Sequence, residues 1–200
     1  MSISSVKTGA IGVSLLAGND FYNPYVYQSI ATVTVGSGGS SSVTFSSIPS
    51  TYTHLQVRIF FTPYSSAGDS FVFAKINGDT GANYAYHWLS GNGSSAGSSG
   101  ASGSSNGIIF GVATGTGNSS LYVSSSIVDI LDYTNTNKNK TIRAFSGIDQ
   151  NTNSGVGGTS QLYFFSGLWA STSAISSITI NSPYGNFNQY SSFALYGIKG

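Results

Sequence analysis

From Tyr25 onward, apolar and polar residues alternate with period two along most of this 200-residue chain. Such alternation marks strands that bury one face and leave the other in water. Thr53 to Phe61 shows it most plainly, with Leu55, Val57, Ile59 and Phe61 separated by His54, Gln56 and Arg58. A slip of one residue would turn all four apolar side chains outward, so the register of this strand is firmly specified. Val33 and Val35 against Thr32 and Thr34, then Val43 and Phe45 around Thr44, repeat the pattern. Further strands are expected over Ser70 to Ile76, Tyr84 to Leu89, Gly107 to Ala113, Leu121 to Tyr133, Lys140 to Ile148, Gln161 to Trp169, Ile175 to Ile180 and Ser192 to Ile198. No segment carries a convincing helical period.

Turn residues fall between these runs: Gly36 to Gly39, Ser65 to Asp69, Asn77-Gly78-Asp79, Thr114 to Asn118, Asn135 to Asn139, Asn151 to Gly158 and Ser182 to Asn186. Many short strands spaced by Gly, Asn and Ser turns predict one antiparallel β-sandwich over residues 25–200, with the jelly roll as the expected form. Residues 1–24 lack clear alternation and read as an N-terminal arm, with Phe21 and Tyr22 as candidate subunit-interface residues. The arm can pack on its own domain or on a neighbouring subunit. Gly91 to Asn106 is almost pure Gly, Ser, Asn and Ala and is expected to form a flexible loop, having nothing apolar to bury. A polar loop this long is ordered either by pinning on its own domain or at an interface; the second is the favoured reading and makes Ser98 and Ser99 candidate contact residues.

Composition narrows the function. Charged residues are 6% of the chain, with no Glu and a formal net charge of +1. Lys7, Arg58, Lys75, Lys138, Lys140, Arg143 and Lys199 are scattered, so the cationic track that neutralises phosphates is missing and no nucleic-acid partner is expected. Lys138, Lys140 and Arg143 lie close together in an Asn-rich stretch and read as a solvated strand edge. Near-zero net charge favours association, which suits a protein built into an assembly. Cysteine is absent, which excludes disulfides and thiolate zinc sites. Gly9 to Ala17 is apolar but short and glycine-containing, so neither a cleavable leader nor a membrane span is expected.

Catalysis finds little to work with. The two imidazoles, His54 and His87, read as strand histidines that are solvated or hydrogen-bonded. Asp129 and Asp132 are the only close carboxylate pair, yet three residues apart on a strand they would point to opposite faces. Asp79, in Asn77-Gly78-Asp79-Thr80-Gly81, reads as part of a hairpin turn, without the acidic density of a calcium loop. No enzymatic activity, cofactor or metal is expected. Tyr84, Tyr86 and Trp88 share one strand face; the stripe reads first as core and second as a platform for stacking on sugar rings.

Four strings resemble a family of bacteriophage virion structural proteins, found especially in phages of marine and freshwater cyanobacteria. They are Ser42-Val43-Thr44-Phe45-Ser46-Ser47-Ile48-Pro49, Tyr52-Thr53-His54-Leu55, Asn77-Gly78-Asp79-Thr80-Gly81-Ala82-Asn83-Tyr84 and Phe193-Ala194-Leu195-Tyr196-Gly197-Ile198. The likeness spans roughly Tyr27 to Leu89 and the last strand. It implies a virion structural protein of the capsid or tail; with the neutral polar surface and the N-terminal arm, the expectation is a capsid decoration (cement) protein, made in the host cytoplasm and bound to the major capsid protein on the exterior of the shell. The alternative is a tail-fibre or tail-tip module that binds a host surface glycan. Unguarded strand edges, with few charges to protect them, add the expectation of self-association, as a homotrimer.

Overall fold

The computed structural model describes residues 26–61, 70–113, 123–149 and 161–200. The expected arm, with Phe21 and Tyr22, and the turns at 65–69, 114–118 and 151–158 lie outside them. Among the described residues there are twelve strands and no helix: β1 Tyr27–Thr34, β2 Ser42–Phe45, β3 His54–Phe61, β4 Ser70–Ile76, β5 Tyr84–Gly91, β6 Ala96–Ser104, β7 Ile108–Ala113, β8 Ser124–Ile130, β9 Lys140–Ile148, β10 Gln161–Trp169, β11 Ile178–Asn181 and β12 Ser192–Ile198.

They form two antiparallel sheets. The larger runs β1-β12-β3-β8-β9-β10-β5-β6, and the smaller β2-β11-β4-β7. The expected antiparallel β-sandwich is therefore the fold. The pairings are nested: β1 with β12, β2 with β11, β3 with β8, β4 with β7. The β5–β6 and β9–β10 pairs then extend the larger sheet beyond β8.

The core lies where the sheets face each other, with β7 of the smaller sheet packed against β8, β9 and β10. Leu55, Val57, Ile59 and Phe61, the alternating set that specified the register of β3, are all buried. They meet Val72, Ala74 and Ile76 of β4 and Phe193 and Leu195 of β12 in one cluster. Where strands press together, only glycine fits. A Cβ at Gly197 would fall 2.3 Å from the Tyr52 ring, and one at Gly111 would fall 2.3 Å from Ser126 Oγ.

Two expectations about chain segments are corrected. Gly91 to Asn106 is not a loop: β5 runs on to Gly91, and Ala96–Ser104 is β6, paired with β5 along its length. Backbone pairing orders the segment although it has almost no apolar side chain to bury. Asn92 closes the connecting turn by accepting from the Ser94 and Ser95 N–H groups at 2.9 and 2.8 Å. Asn77-Gly78-Asp79 is a turn, with Asn77 and Gly78 both at positive φ, but the strands it joins lie in different sheets, so it makes a corner instead of a hairpin.

Candidate functional site

The histidines and aspartates singled out above all fall among the described residues, and those with side-chain partners serve the scaffold. Asp79 accepts from the Trp169 indole N–H at 2.7 Å, from the Asn83 amide at 2.9 Å and from the Gly81 N–H at 2.8 Å. Together these donors hold its carboxyl below the ordinary carboxylate value, Trp169 contributing most. Asp129 and Asp132 do not form a pair. Asp129 stays on β8 and accepts from Gln56 Nε2 at 2.8 Å, while Asp132 sits past the end of that strand at φ 47°. There Lys138 donates to its carboxylate, and its N–H donates to His54 Nδ1 at 3.0 Å. His54 is thus an acceptor that pins a turn, in line with a strand histidine held by hydrogen bonding.

Lys138, Lys140 and Arg143 do not guard an edge, because β9 is an interior strand flanked by β8 and β10. Lys140 is buried, its ammonium donating to the carbonyls of Asn135, Lys138 and Thr172 at 2.6, 3.0 and 3.1 Å. Burial lowers its pKa, while three carbonyl partners favour the charged form. The lysine staples two loops at one end of the sandwich. No group of three or more potential metal ligands exists among the described residues.

The aromatic stripe of β5 faces inward. Tyr84 is 1% exposed, accepts the Ile76 N–H at 3.1 Å and donates to the Asp79 carbonyl at 3.0 Å. Tyr86 packs edge-on against Phe73, and Trp88 against Phe71 and Tyr163, with ring centroids 5.5–6.3 Å apart. Tyr84, Tyr86 and Trp88 are thus core-facing residues. The stripe serves as core, with Tyr84 buried and Tyr86 and Trp88 partly buried against it.

The opposite face of the same strands carries a feature the alternation did not reveal. Register places Ile127 beside Phe145, Phe145 beside Phe164, and Phe164 beside Leu89, one residue on each of β8, β9, β10 and β5. All four are exposed: Leu89 63%, Phe145 50%, Phe164 48% and Ile127 45%. At the usual strand spacing this apolar row is about 14 Å long. Leu162, also exposed, lies over Gly147 in the adjacent row. On the other side runs a polar row of Asp129, Arg143, Ser166 and His87.

In the β1–β12–β3 half of this outer face three residues pack on one another, while Phe60 of β3 stays exposed. Tyr27 stacks on Tyr196 at 4.9 Å, and the Arg58 guanidinium lies 5.3 Å from both rings. The half from β8 to β6 has no such cover among the described residues. Its row ends in an open cleft of about 400 Å³ lined by His87, Leu89, Phe164, Ser166, Ser98 and Ser99. The cleft exists because β6 offers only small side chains next to Leu89 and Phe164.

No family model, curated protein or solved structure matches this chain. The outer apolar face is therefore the feature from which a function has to be argued. Its signal was present in the sequence. Leu162-Tyr163-Phe164-Phe165 and Ala144-Phe145 are apolar at both parities, which a strand with one wet face does not need.

Proposed function

We propose that this protein is a non-enzymatic structural component of a bacteriophage virion, a decoration protein held on the outside of the major capsid protein shell. The carrying observation is the exposed row Ile127, Phe145, Phe164 and Leu89, four apolar side chains aligned across adjacent strands of a nearly uncharged sandwich. Contiguous exposed apolar surface marks a protein contact, whereas scattered apolar residues do not. Supporting it, the nested strand order is that of a ribbon folded once and rolled, which we read as jelly-roll-like with two added strand pairs. Asp79, Asp132, His54 and Lys140 hold turns and strand ends, which fits a scaffold. The resemblance of four strand-and-turn strings to phage virion proteins supports a virion setting, without choosing between shell and tail. A protein that binds many equivalent sites on a shell stabilises it by mass action, without chemistry.

The tail-fibre or tail-tip reading keeps one specific observation in its favour. Arg143, Ser166 and His87 line up beside Phe145, Phe164 and Leu89, a hydrogen-bonding row next to a stacking row. Quantifying the protein against the major capsid protein in purified virions separates the two readings. Decoration predicts copies comparable to the shell subunits; a tail part predicts a small fixed number.

A further inference from the structure

The larger sheet ends on a strand that is unusually open to company. β6 is its last strand, nine residues long, paired to β5 on one side and to nothing described on the other. Natural edges are blunted by charge, proline, short length or an early bulge, since a bare edge is a template for another strand. Among the other described edges, β1 is interrupted by a bulge between Ser29 and Ala31, β2 is four residues long, and β7 has a register shift opposite Val72 and Phe73. β6 has none of these protections over Ala96–Ala101; its one register shift lies beyond Ala101. Beside that edge sit the cleft and Leu89, the most exposed member of the apolar row.

Charge decides what fits there. An isologous contact brings residues near the two-fold axis close to their own symmetry mates, so a charge at the middle of the strand would approach a like charge. Thr80 through Val128, which includes β5, β6 and β7, contains no Asp, Glu, Lys or Arg. Nothing on this edge repels its own copy, and nothing offers the charge pattern that would select a charged foreign strand.

We infer that two copies of this chain pair antiparallel through β6, about a two-fold axis perpendicular to the sheet, joining their larger sheets into one. In that geometry the same face of both copies stays outward. Residues opposite one another across the axis share that face, so Ser98 and Gly100 of one copy approach those of the other. The two small-residue strands then form the floor of a trough walled by Leu89 and His87 from each side. The inference extends the assembly reading to a named partner, but it rests on the edge strand and not on the capsid.

The test uses the full chain with Ser98→Lys, Ser98→Asp, and an equal mixture of the two, each checked for an unchanged circular-dichroism spectrum and melting temperature. Sedimentation should give a dimer for the parent protein. Each variant alone should dimerise about tenfold more weakly, and the mixture should recover parental affinity as a one-to-one heterodimer. A monomeric or trimeric parent overturns the pairing, as does a dimer indifferent to either charge or a mixture no tighter than the separate variants. Virion occupancy is measured separately, so failure of the pairing and failure of the decoration reading are told apart.

Discussion

The indole N–H of Trp169 donates to the Asp79 carboxylate at 2.7 Å, tying the last residue of β10 in the larger sheet to the turn that follows β4 in the smaller one. One hydrogen bond thus clamps the two layers at a corner. Tyr84, next to the same turn, adds a second tie by donating to the Asp79 carbonyl. Replacing Asp79 by Ala leaves the buried Trp169 N–H without its acceptor and should cost about 1–2 kcal/mol, read by urea unfolding.

The same carboxylate sets a pH dependence. Its folded-state pKa lies below the ordinary value, chiefly through Trp169, then Asn83 and Gly81. A depressed carboxylate contributes stability that is complete above the unfolded pKa of about 4 and is lost as pH falls through the folded value. Thermal melts taken downward from pH 6 should show a steeper loss for the parent than for Asp79→Asn. Parallel curves would remove Asp79 as the acid-sensitive clamp.

Lys140 makes a prediction of the opposite chemical kind. Its ammonium is enclosed by three loop carbonyls, so Lys140→Met keeps the stem and orphans the acceptors. The expected cost is roughly 2–4 kcal/mol, far above that of an exposed lysine. Lys138→Met, which loses only an exposed ion pair with Asp132, should cost far less than Lys140→Met. Equal losses would contradict the burial argument.

Gly197 tests the core at a point where two of the virion-like strings meet. Gly197 on β12 pairs with Leu55 on β3, and its missing side chain makes room for the Tyr52 ring. Gly197→Ala drives a methyl into that ring and should destabilise by about 1–3 kcal/mol, measured by thermal denaturation. The companion change Tyr52→Leu should recover part of the loss, by giving the methyl somewhere to go.

These residues also show what the sequence could reveal. Period two located eleven of the twelve strands, because each of them buries at least one apolar face, and β4, β9, β10 and β12 begin and end where the alternation does. β6 escaped, because a Gly/Ser strand is held by backbone pairing to β5, which leaves no side-chain pattern. Lys140 escaped for a related reason: its enclosure is completed by the carbonyl of Thr172, 32 residues away and brought to it only by the fold. For Tyr84, Tyr86 and Trp88 the pattern correctly indicated a shared face, but only packing against Phe71, Phe73 and Tyr163 shows that the face is the inner one. The outer row is the converse. Phe145 and Phe164 looked like surplus hydrophobicity until strand order aligned them.

The central claim is that this outer row holds the protein in a virion, and the double variant Phe145→Ser/Phe164→Ser tests it most directly. Both side chains are about half exposed on the outer face, outside the buried core, so the variant should fold and melt like the parent. Incorporation is then read by adding parent or variant protein to capsids that lack it and quantifying what remains after purification. The account predicts near-complete occupancy for the parent and a loss of most bound copies for the variant. Equal occupancy for the two proteins, at equal stability, would contradict it.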